Sequence, residues 1–145
     1  MCITLDKLYC YKRLIPPIIR LGTNVTVTRN FACAEAMYCV GYEEGDVSDS
    51  FVPIVDLPIY ELGARYLAII LENVGPHDMD VQLRKSVPYS NVEDVEEIQG
   101  VEVQTVPAGD YAVLELSRPL RWRLYVKNAT AGQATKYRVT ALVVV

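Results

Sequence analysis

The sequence predicts an all-β fold, an antiparallel two-sheet β-sandwich that is jelly-roll-like and contains at most one or two short helical turns. Short runs of β-branched and aromatic residues alternate with polar residues. Turn residues interrupt these runs about every ten positions, as is typical of sandwiches and barrels. No segment has the pattern of the crossover helices that a parallel sheet requires. These three observations together favour a sandwich.

The length and composition predict one folded domain. The chain has 145 residues, of which 51% are hydrophobic and 22% are charged, so it can bury one ordinary core. We expect a single sandwich domain over residues 1–145, with residues 1–23 as a candidate N-terminal arm. The net charge of -4 lacks the basic character of nucleic-acid-binding domains, so we expect no nucleic-acid partner.

The sequence predicts no membrane span, because charged residues interrupt every apolar stretch well before the roughly 20 residues that a bilayer crossing needs. Residues 1–7 also lack the pattern of a signal peptide. Two interpretations stay open: the chain is made for the cytoplasm, or it is already processed.

The central and C-terminal parts provide the strand predictions. Residues 24–31 alternate valine with threonine, which predicts a half-buried strand. Residues 66–73 are almost wholly apolar, which predicts a strand covered on both faces at the centre of the core. Residues 79–85 alternate apolar with polar side chains, which predicts a strand with one face in water.

Short turns between successive strands predict three hairpins. The first spans residues 66–85, and the third joins the strands in 121–128 and 135–145. The second joins 101–106 to 111–116 through a tight reversal at 107–110, where Pro107 and Gly109 suit the turn. The first and third hairpins share a plan, in which an apolar strand ends in Asn and a short Gly-containing turn follows.

Two stretches have helical features. Residues 90–100 begin with the form of a capping box and place apolar residues at helical spacing until Gly100, which predicts one or two turns. Residues 32–37 have a helix-forming composition, but their flanks favour a strand.

The four cysteines all lie in the first 39 residues, at Cys2, Cys10, Cys33 and Cys39. Their spacing matches no zinc or redox pattern. Two disulfides are one interpretation, and free or partly paired structural thiols are the one that we favour.

No residue pattern predicts catalysis. His77 is the only histidine and lies in a turn without a partner, and no nucleophile, phosphate-binding or dinucleotide-binding motif occurs. We therefore expect neither an enzyme nor a cofactor. The acidic loop 43–49 is the one candidate calcium site, through Glu43, Glu44, Asp46 and Asp49, but it lacks EF-hand spacing and acidic surface loops are common.

Several surface features are candidates for interactions. Asn24 and Asn128 begin glycosylation sequons, although strand-edge chemistry explains them equally. We expect six cations to lie together on the outward faces of the third hairpin, where they either keep a sheet edge soluble or bind an acidic patch on a neighbouring copy. They are Arg118, Arg121, Arg123, Lys127, Lys136 and Arg138.

The ten tyrosines suit surfaces that a partner covers. Residues 14–20 contain paired prolines that hold an apolar segment extended, either against its own sandwich or against a neighbouring subunit. The predicted interface residues are Pro16, Pro17, Ile18, Ile19, Tyr9, Tyr11, Arg121, Arg123 and Tyr125.

Three short sequence segments carry a resemblance to a known class of proteins. They are residues 71–75 after an apolar strand, 106–109 before residues 114–116, and 123–128 before the last strand. In this style, residues 66–145 resemble small β-sandwich and jelly-roll structural proteins of bacterial or archaeal virus particles. The resemblance implies a virion capsid, cement or vertex component that self-associates and binds other coat proteins. The alternatives are a carbohydrate- or ligand-binding module, assisted by calcium, and a subunit of an extracellular filament.

Overall fold

The computed structural model describes residues 2–12, 18–21, 25–28 and 37–144, and between residues 10 and 38 it describes the backbone alone. A single 3-10 turn, Leu5–Lys7, and one short helix, α1 (Ile59–Leu62), occur in these ranges. The rest of the regular structure consists of strands. They are β1 (Tyr9–Lys12), β2 (Ile18–Leu21), β3 (Val25–Thr28), β4 (Met37–Asp46), β5 (Val52–Pro58), β6 (Tyr66–Asn73), β7 (Met79–Ser86), β8 (Asp94–Glu96), β9 (Gln104–Val106), β10 (Tyr111–Leu116), β11 (Arg121–Asn128) and β12 (Lys136–Val144).

Two antiparallel sheets pack against each other. Sheet 1 has the order β1-β4-β12-β6-β10. Sheet 2 has the order β5-β11-β7-β8, and β9 also pairs with β7. Strands β2 and β3 pair separately with each other. The predicted all-β, two-sheet sandwich is confirmed.

Most successive strands from β4 onward lie in opposite sheets, and only β7, β8 and β9 follow one another within sheet 2. The chain passes between the sheets from β4 to β5, β5 to β6, β6 to β7, β9 to β10, β10 to β11 and β11 to β12. This alternation is the jelly-roll arrangement. The three predicted hairpins are therefore wrong, because in each case the two strands lie in different sheets instead of pairing with each other.

Two buried asparagines stabilise two of these crossing turns. Asn73 ends β6, and its Nδ2 donates to the carbonyl oxygens of His77 at 2.8 Å and Val106 at 2.9 Å. Its Oδ1 accepts from the Thr135 hydroxyl at 2.7 Å and from the Gly75 N–H at 3.3 Å. The side chain thus connects the crossing turn to the β9 and β12 ends of both sheets.

Asn128 has the same place at the end of β11. Its Nδ2 donates to Asp49 at 2.8 Å, and its Oδ1 accepts from the backbone N–H of Thr135 at 3.2 Å. The shared plan of Asn followed by a short Gly-containing turn is thus a plan for crossing between sheets.

The core lies between the two sheets. Its largest member, Trp122, is fully buried, and its indole N–H donates to the Arg118 carbonyl at 3.2 Å. Strand β6 is buried at every position but Glu72, as predicted for a strand covered on both faces. Strand β7 alternates between buried and half-exposed residues as far as Arg84, as predicted for a strand with one face in water.

The remaining local predictions have mixed outcomes. Residues 25–28 form the predicted strand, and the N–H of Asp110 donates to the Pro107 carbonyl at 3.0 Å in the predicted tight turn. Gly109 there has the left-handed φ of 78°. The predicted helix at 90–100 is wrong, because β8 forms at Asp94–Glu96 and pairs with β7. Of residues 32–37, only Met37 is described, and it begins β4.

Candidate interaction surface

The predicted cationic surface divides between the two sheets. Lys136 and Arg138 lie on β12 in sheet 1, whereas Arg121, Arg123 and Lys127 lie on β11 in sheet 2. The prediction that one hairpin carries all these cations is therefore wrong, for the same reason as the hairpin itself.

The cations of β11 bind carboxylates of their own chain. Arg121 binds Asp56 with two hydrogen bonds of 2.8 Å each. Burial acts to raise the pKa of Asp56, but the hydrogen bonds and charge of Arg121, with the charge of Arg123, hold this pKa below its ordinary value. Arg123 also pairs with Glu93. This part of the outer face is thus internally neutralised.

Tyr125 belongs to the same network. The guanidinium of Arg84 lies 3.9 Å from the centre of the Tyr125 ring, in cation–π contact. The Tyr125 hydroxyl donates to Glu93, at 3.4 Å to Oε2, and Arg84 lies 3.6 Å from the same oxygen. Arg121, Arg123 and Tyr125 therefore have intramolecular partners, and their role at an interface stays a prediction.

No three carboxylates of the acidic loop lie together as a group. Glu43 faces inward from β4 and is buried, whereas Glu44 faces outward and pairs with Arg138 at 2.9 Å. Asp49 accepts hydrogen bonds from Asn128 and from the N–H of Gly132, which lower the pKa of its carboxyl. The described residues contain no group of three or more side chains suited to a metal ion.

The other single-residue candidates also have structural roles. Asn128 is 5% exposed and hydrogen-bonded through its amide, so this sequon is closed to glycosylation in the folded domain. Asn24 lies outside the described residues. His77 is exposed in the β6–β7 turn, where its carbonyl accepts from Asn73.

The predicted arm is described only in part. Pro16 and Pro17 lie outside the described residues, and Ile18 and Ile19 begin β2. Tyr11 lies in β1. The side chain of Tyr9 is 74% exposed at the start of β1. The arm as an interface thus stays a prediction.

A groove lies beside Tyr9. A ligand-binding module needs a concave site of this kind. The groove has a volume of about 500 Å³ and lies between the first turn of the chain and β4. Lys7 and Glu43 lie 3.8 Å apart there. Its lining residues are Asp6, Lys7, Tyr9, Tyr42, Glu43 and Glu44.

The described cysteines are partly paired. Cys39 is disulfide-bonded, and Cys2 is free. Burial, followed by the charges of Asp56 and Glu43, raises the pKa of the Cys2 thiol to about 11. In the backbone register of β1 with β4, Cys10 lies opposite Cys39.

The edge strand of sheet 2 next to the N-terminus is protected. The backbone of Ile3 bonds to β5, with its N–H 2.9 Å from the Ile54 oxygen and its carbonyl 2.8 Å from the Asp56 nitrogen. Pro53 and Pro58 also lie on β5 and lack a backbone N–H. Such features prevent pairing with another chain.

Strand β10 is an edge of sheet 1 that is open in the described part of the chain, and Glu115 is its one charged residue. The strand has six residues, contains neither proline nor lysine, and pairs with β6 along its length. No strand in the described part of the chain pairs with its other side. The edge strands β1 and β8 are shorter, with four and three residues. Strand β10 is thus the best template for strand pairing with another molecule.

The hydrogen-bond alternation shows which backbone groups of β10 face outward. The backbone N–H of Asn73 donates to the Asp110 carbonyl, and the backbone carbonyl of Asn73 accepts from the Gly109 N–H. Every second residue of β6, counted back from Asn73, therefore bonds to β10. Val113 lies opposite Ile70, between two such residues. Its N–H and C=O therefore point to the open edge.

None of the helices in the described ranges has the length and apolarity that a bilayer crossing requires. No family model and no curated protein matches the sequence. Among solved structures, the chain is similar to a subunit from "Bacillus endospore appendages form a novel family of disulfide-linked pili", with 12% identity over 79% of this chain and 97% of that chain and a TM-score of 0.48.

It is also similar to the Yersinia pseudotuberculosis-derived mitogen, with 16% identity over 70% of this chain and 83% of that chain and a TM-score of 0.44. A third similar structure is the Drosophila melanogaster CENP-C cupin domain, with 13% identity over 90% of this chain and 75% of that chain and a TM-score of 0.27. At these identities and TM-scores, the similarities assign no function to this chain.

Proposed function

We propose that this chain is a non-enzymatic structural subunit that self-associates, as a capsid, cement or vertex component of a virus particle. The observation that carries the proposal is the open edge of β10. Outward N–H and C=O groups there can accept a strand from a second copy and extend sheet 1 across the interface. Other coat proteins are the further partners that this function implies.

The second candidate is a subunit of an extracellular filament, and the disulfide of Cys39 supports it as it supports the first. Disulfides persist in oxidising environments, which include the cell exterior and the surfaces of virus particles, and are rare in the cytosol. Both candidates require the same self-association, so one experiment on the β10 edge tests what they share.

The experiment compares Val113→Pro with Val113→Thr in the full chain. Proline removes the outward N–H of residue 113 without removing a bond to β6, whereas threonine keeps this N–H. We expect wild type and Val113→Thr to form oligomers in sedimentation velocity and Val113→Pro to stay monomeric. Emission of the buried Trp122 reports whether each variant is folded.

A folded Val113→Pro variant that assembles like wild type would rule out the β10 edge. If Val113→Pro does not fold, Val113→Lys replaces it, because a lysine on an edge strand also opposes pairing.

A further inference from the structure

The described surface carries an exposed apolar and acidic segment next to β8. Val92 is 71% exposed, Val101 46% and Val95 38%. Carboxylates without an ion-pair partner among the described residues lie between and beside these valines. We name the acidic valine patch as Val92, Val95, Val101, Asp94, Glu97 and Glu102.

Intervening side chains fix the patch to the domain. Ile98 is 7% exposed and packs in the core. Glu93 pairs with Arg84 and Arg123, and Glu96 pairs with Lys85 and Arg118. The hydrogen bond of Lys85 is the main cause that lowers the pKa of Glu96. The patch is therefore presented on a fixed backbone, and a partner need not order it on binding.

The charges of the patch that have no ion-pair partner in the described part of the chain are all negative. The cations beside the patch, Arg84, Lys85, Arg118 and Arg123, are paired with Glu93 and Glu96. Residues 86–117 contain no lysine, arginine or histidine. They contain the acidic residues Glu93, Asp94, Glu96, Glu97, Glu102, Asp110 and Glu115. A partner for the patch must therefore supply both cations and apolar side chains.

The same chain contains a segment of that chemistry. Residues 12–34 contain no aspartate or glutamate, and their charged residues are Lys12, Arg13, Arg20 and Arg29. Apolar residues lie between these cations, including Ile18 and Ile19 in β2 and Val25 and Val27 in β3. The segment and the patch are thus complementary in charge and both apolar.

The topology places the strands that flank the segment at the opposite edge of the sandwich from the patch. Strand β1 begins before the segment and β4 follows it, and the two strands are neighbours at one edge of sheet 1. Strands β5 and β8 form the two opposite edges of sheet 2, and the patch lies at β8. Strand β5 directly follows β4 in the chain and lies in the other sheet. The patch stays exposed in the monomer, so the occupant that we infer is another molecule.

We propose that the acidic valine patch binds the basic segment 12–34 of a second copy of this chain. Because the two surfaces differ, the contact is head-to-tail and leaves one free surface of each kind at the ends. The inference rests on the proposed self-association and names the surfaces that direct it.

A charge-swap experiment on the full chain tests this contact. The patch variant carries Glu97→Lys and Glu102→Lys, and the segment variant carries Arg13→Glu and Arg20→Glu. Each alone places like charges on both surfaces, so we expect the association constant in 50 mM NaCl to fall at least about tenfold. A mixture of the two restores opposite charges at each contact, and we expect assembly to return only there.

The matched control carries Asp46→Lys and Glu61→Lys, which are exposed carboxylates outside the patch. It changes the net charge by the same amount as the patch variant and should assemble like wild type. We expect assembly of wild type to weaken between 50 and 500 mM NaCl, because salt screens the contact.

The outcomes separate the two proposals. If wild type assembles, Val113→Pro prevents assembly and the charge variants have no effect, the patch is not the contact but the proposed function stands. If the patch and control variants lose assembly equally, net charge and not the patch is responsible. A wild type that stays monomeric at 50 mM NaCl contradicts both proposals.

Discussion

Replacement of Asn73 by alanine should be one of the most destabilising single changes outside the apolar core. The Asn73 side chain makes four hydrogen bonds at the crossing from β6 to β7, and it is 1% exposed. Alanine removes all four and leaves their partners in place.

The cost follows from where those partners lie. The hydrogen bonds to the Val106 carbonyl and the Thr135 hydroxyl are buried, and each buried group without a partner costs about 1–2 kcal/mol. The bonds with the His77 carbonyl and the Gly75 N–H are partly buried, so water replaces Asn73 there at about 0.5 kcal/mol each. We therefore expect Asn73→Ala to lower the free energy of unfolding by about 3–5 kcal/mol.

Urea unfolding measures this loss through the emission of Trp122, the one tryptophan of the chain, which is fully buried. Asn128→Ala is the matched comparison, since it loses two hydrogen bonds, one of them to the exposed carboxylate Asp49, and should cost about 2 kcal/mol. Val74→Ala, on the exposed next residue, should cost less than about 0.5 kcal/mol. A loss below about 1 kcal/mol for Asn73→Ala, or one equal to that of Asn128→Ala, would refute this reasoning.

Three further predictions concern other parts of the domain. Gly75→Ala places a Cβ against Thr135 and the backbone of Lys136, so it should lower the free energy of unfolding in urea by more than about 2 kcal/mol. Gly132→Ala, in open space at a φ of 82°, should lower it by about 1 kcal/mol. Equal losses for the two variants would contradict this. Cys2 should react slowly with iodoacetamide at pH 8 in the native protein and quickly in urea, because burial raises its thiol pKa to about 11; fast native labelling would contradict this. The pKa of Asp56 is lowered in the folded protein, so its ion pair with Arg121 stabilises the domain above about pH 4, and this stability is lost as the pH falls further. The free energy of unfolding should therefore decline less steeply below about pH 4 in Asp56→Asn than in wild type. An unchanged slope would contradict this.

Alternation of side chains predicts where strands form and which face is buried, but it does not specify the neighbouring strand. Residues 66–73 and 79–85 were correctly predicted as strands, and the continuous burial of β6 follows from its apolar run. Their pairing depends on the turn. Asn73 forms four hydrogen bonds only after β9 and β12 are in place, so its role depends on residues distant in sequence.

The wrong helix at 90–100 has a related cause. Ser90 does accept a hydrogen bond from the Val92 N–H at 3.1 Å, as its capping form indicates. Pairing with β7 and the ion pairs of Glu93 and Glu96 then extend the chain beyond it. Local preference is weak compared with these tertiary contacts. Helix α1 was missed, although Gly63 directly after it is a recognised ending signal.

The candidate surfaces show the same division. The composition of β10, without proline or lysine, is visible in the sequence, but its position at a sheet edge requires the topology. Likewise, the cations of β11 are visible, whereas their neutralisation by Asp56 and Glu93 depends on pairing with β5 and on the segment before β8. Sequence patterns identify residue chemistry, and the fold determines which of it is available to a partner.

The position of β12 has a consequence for synthesis of the protein. This last strand lies between β4 and β6, and its Arg138 reaches Glu44 across 94 positions of sequence. While the ribosome is still translating β11, β4 and β6 have no common neighbour, so sheet 1 exists only as separate fragments with open edges. The sandwich therefore closes late, after residue 144 leaves the exit tunnel, and such non-local closure is slow. A nascent chain with this topology exposes open strand edges, which can pair prematurely with other chains, until translation has passed β12.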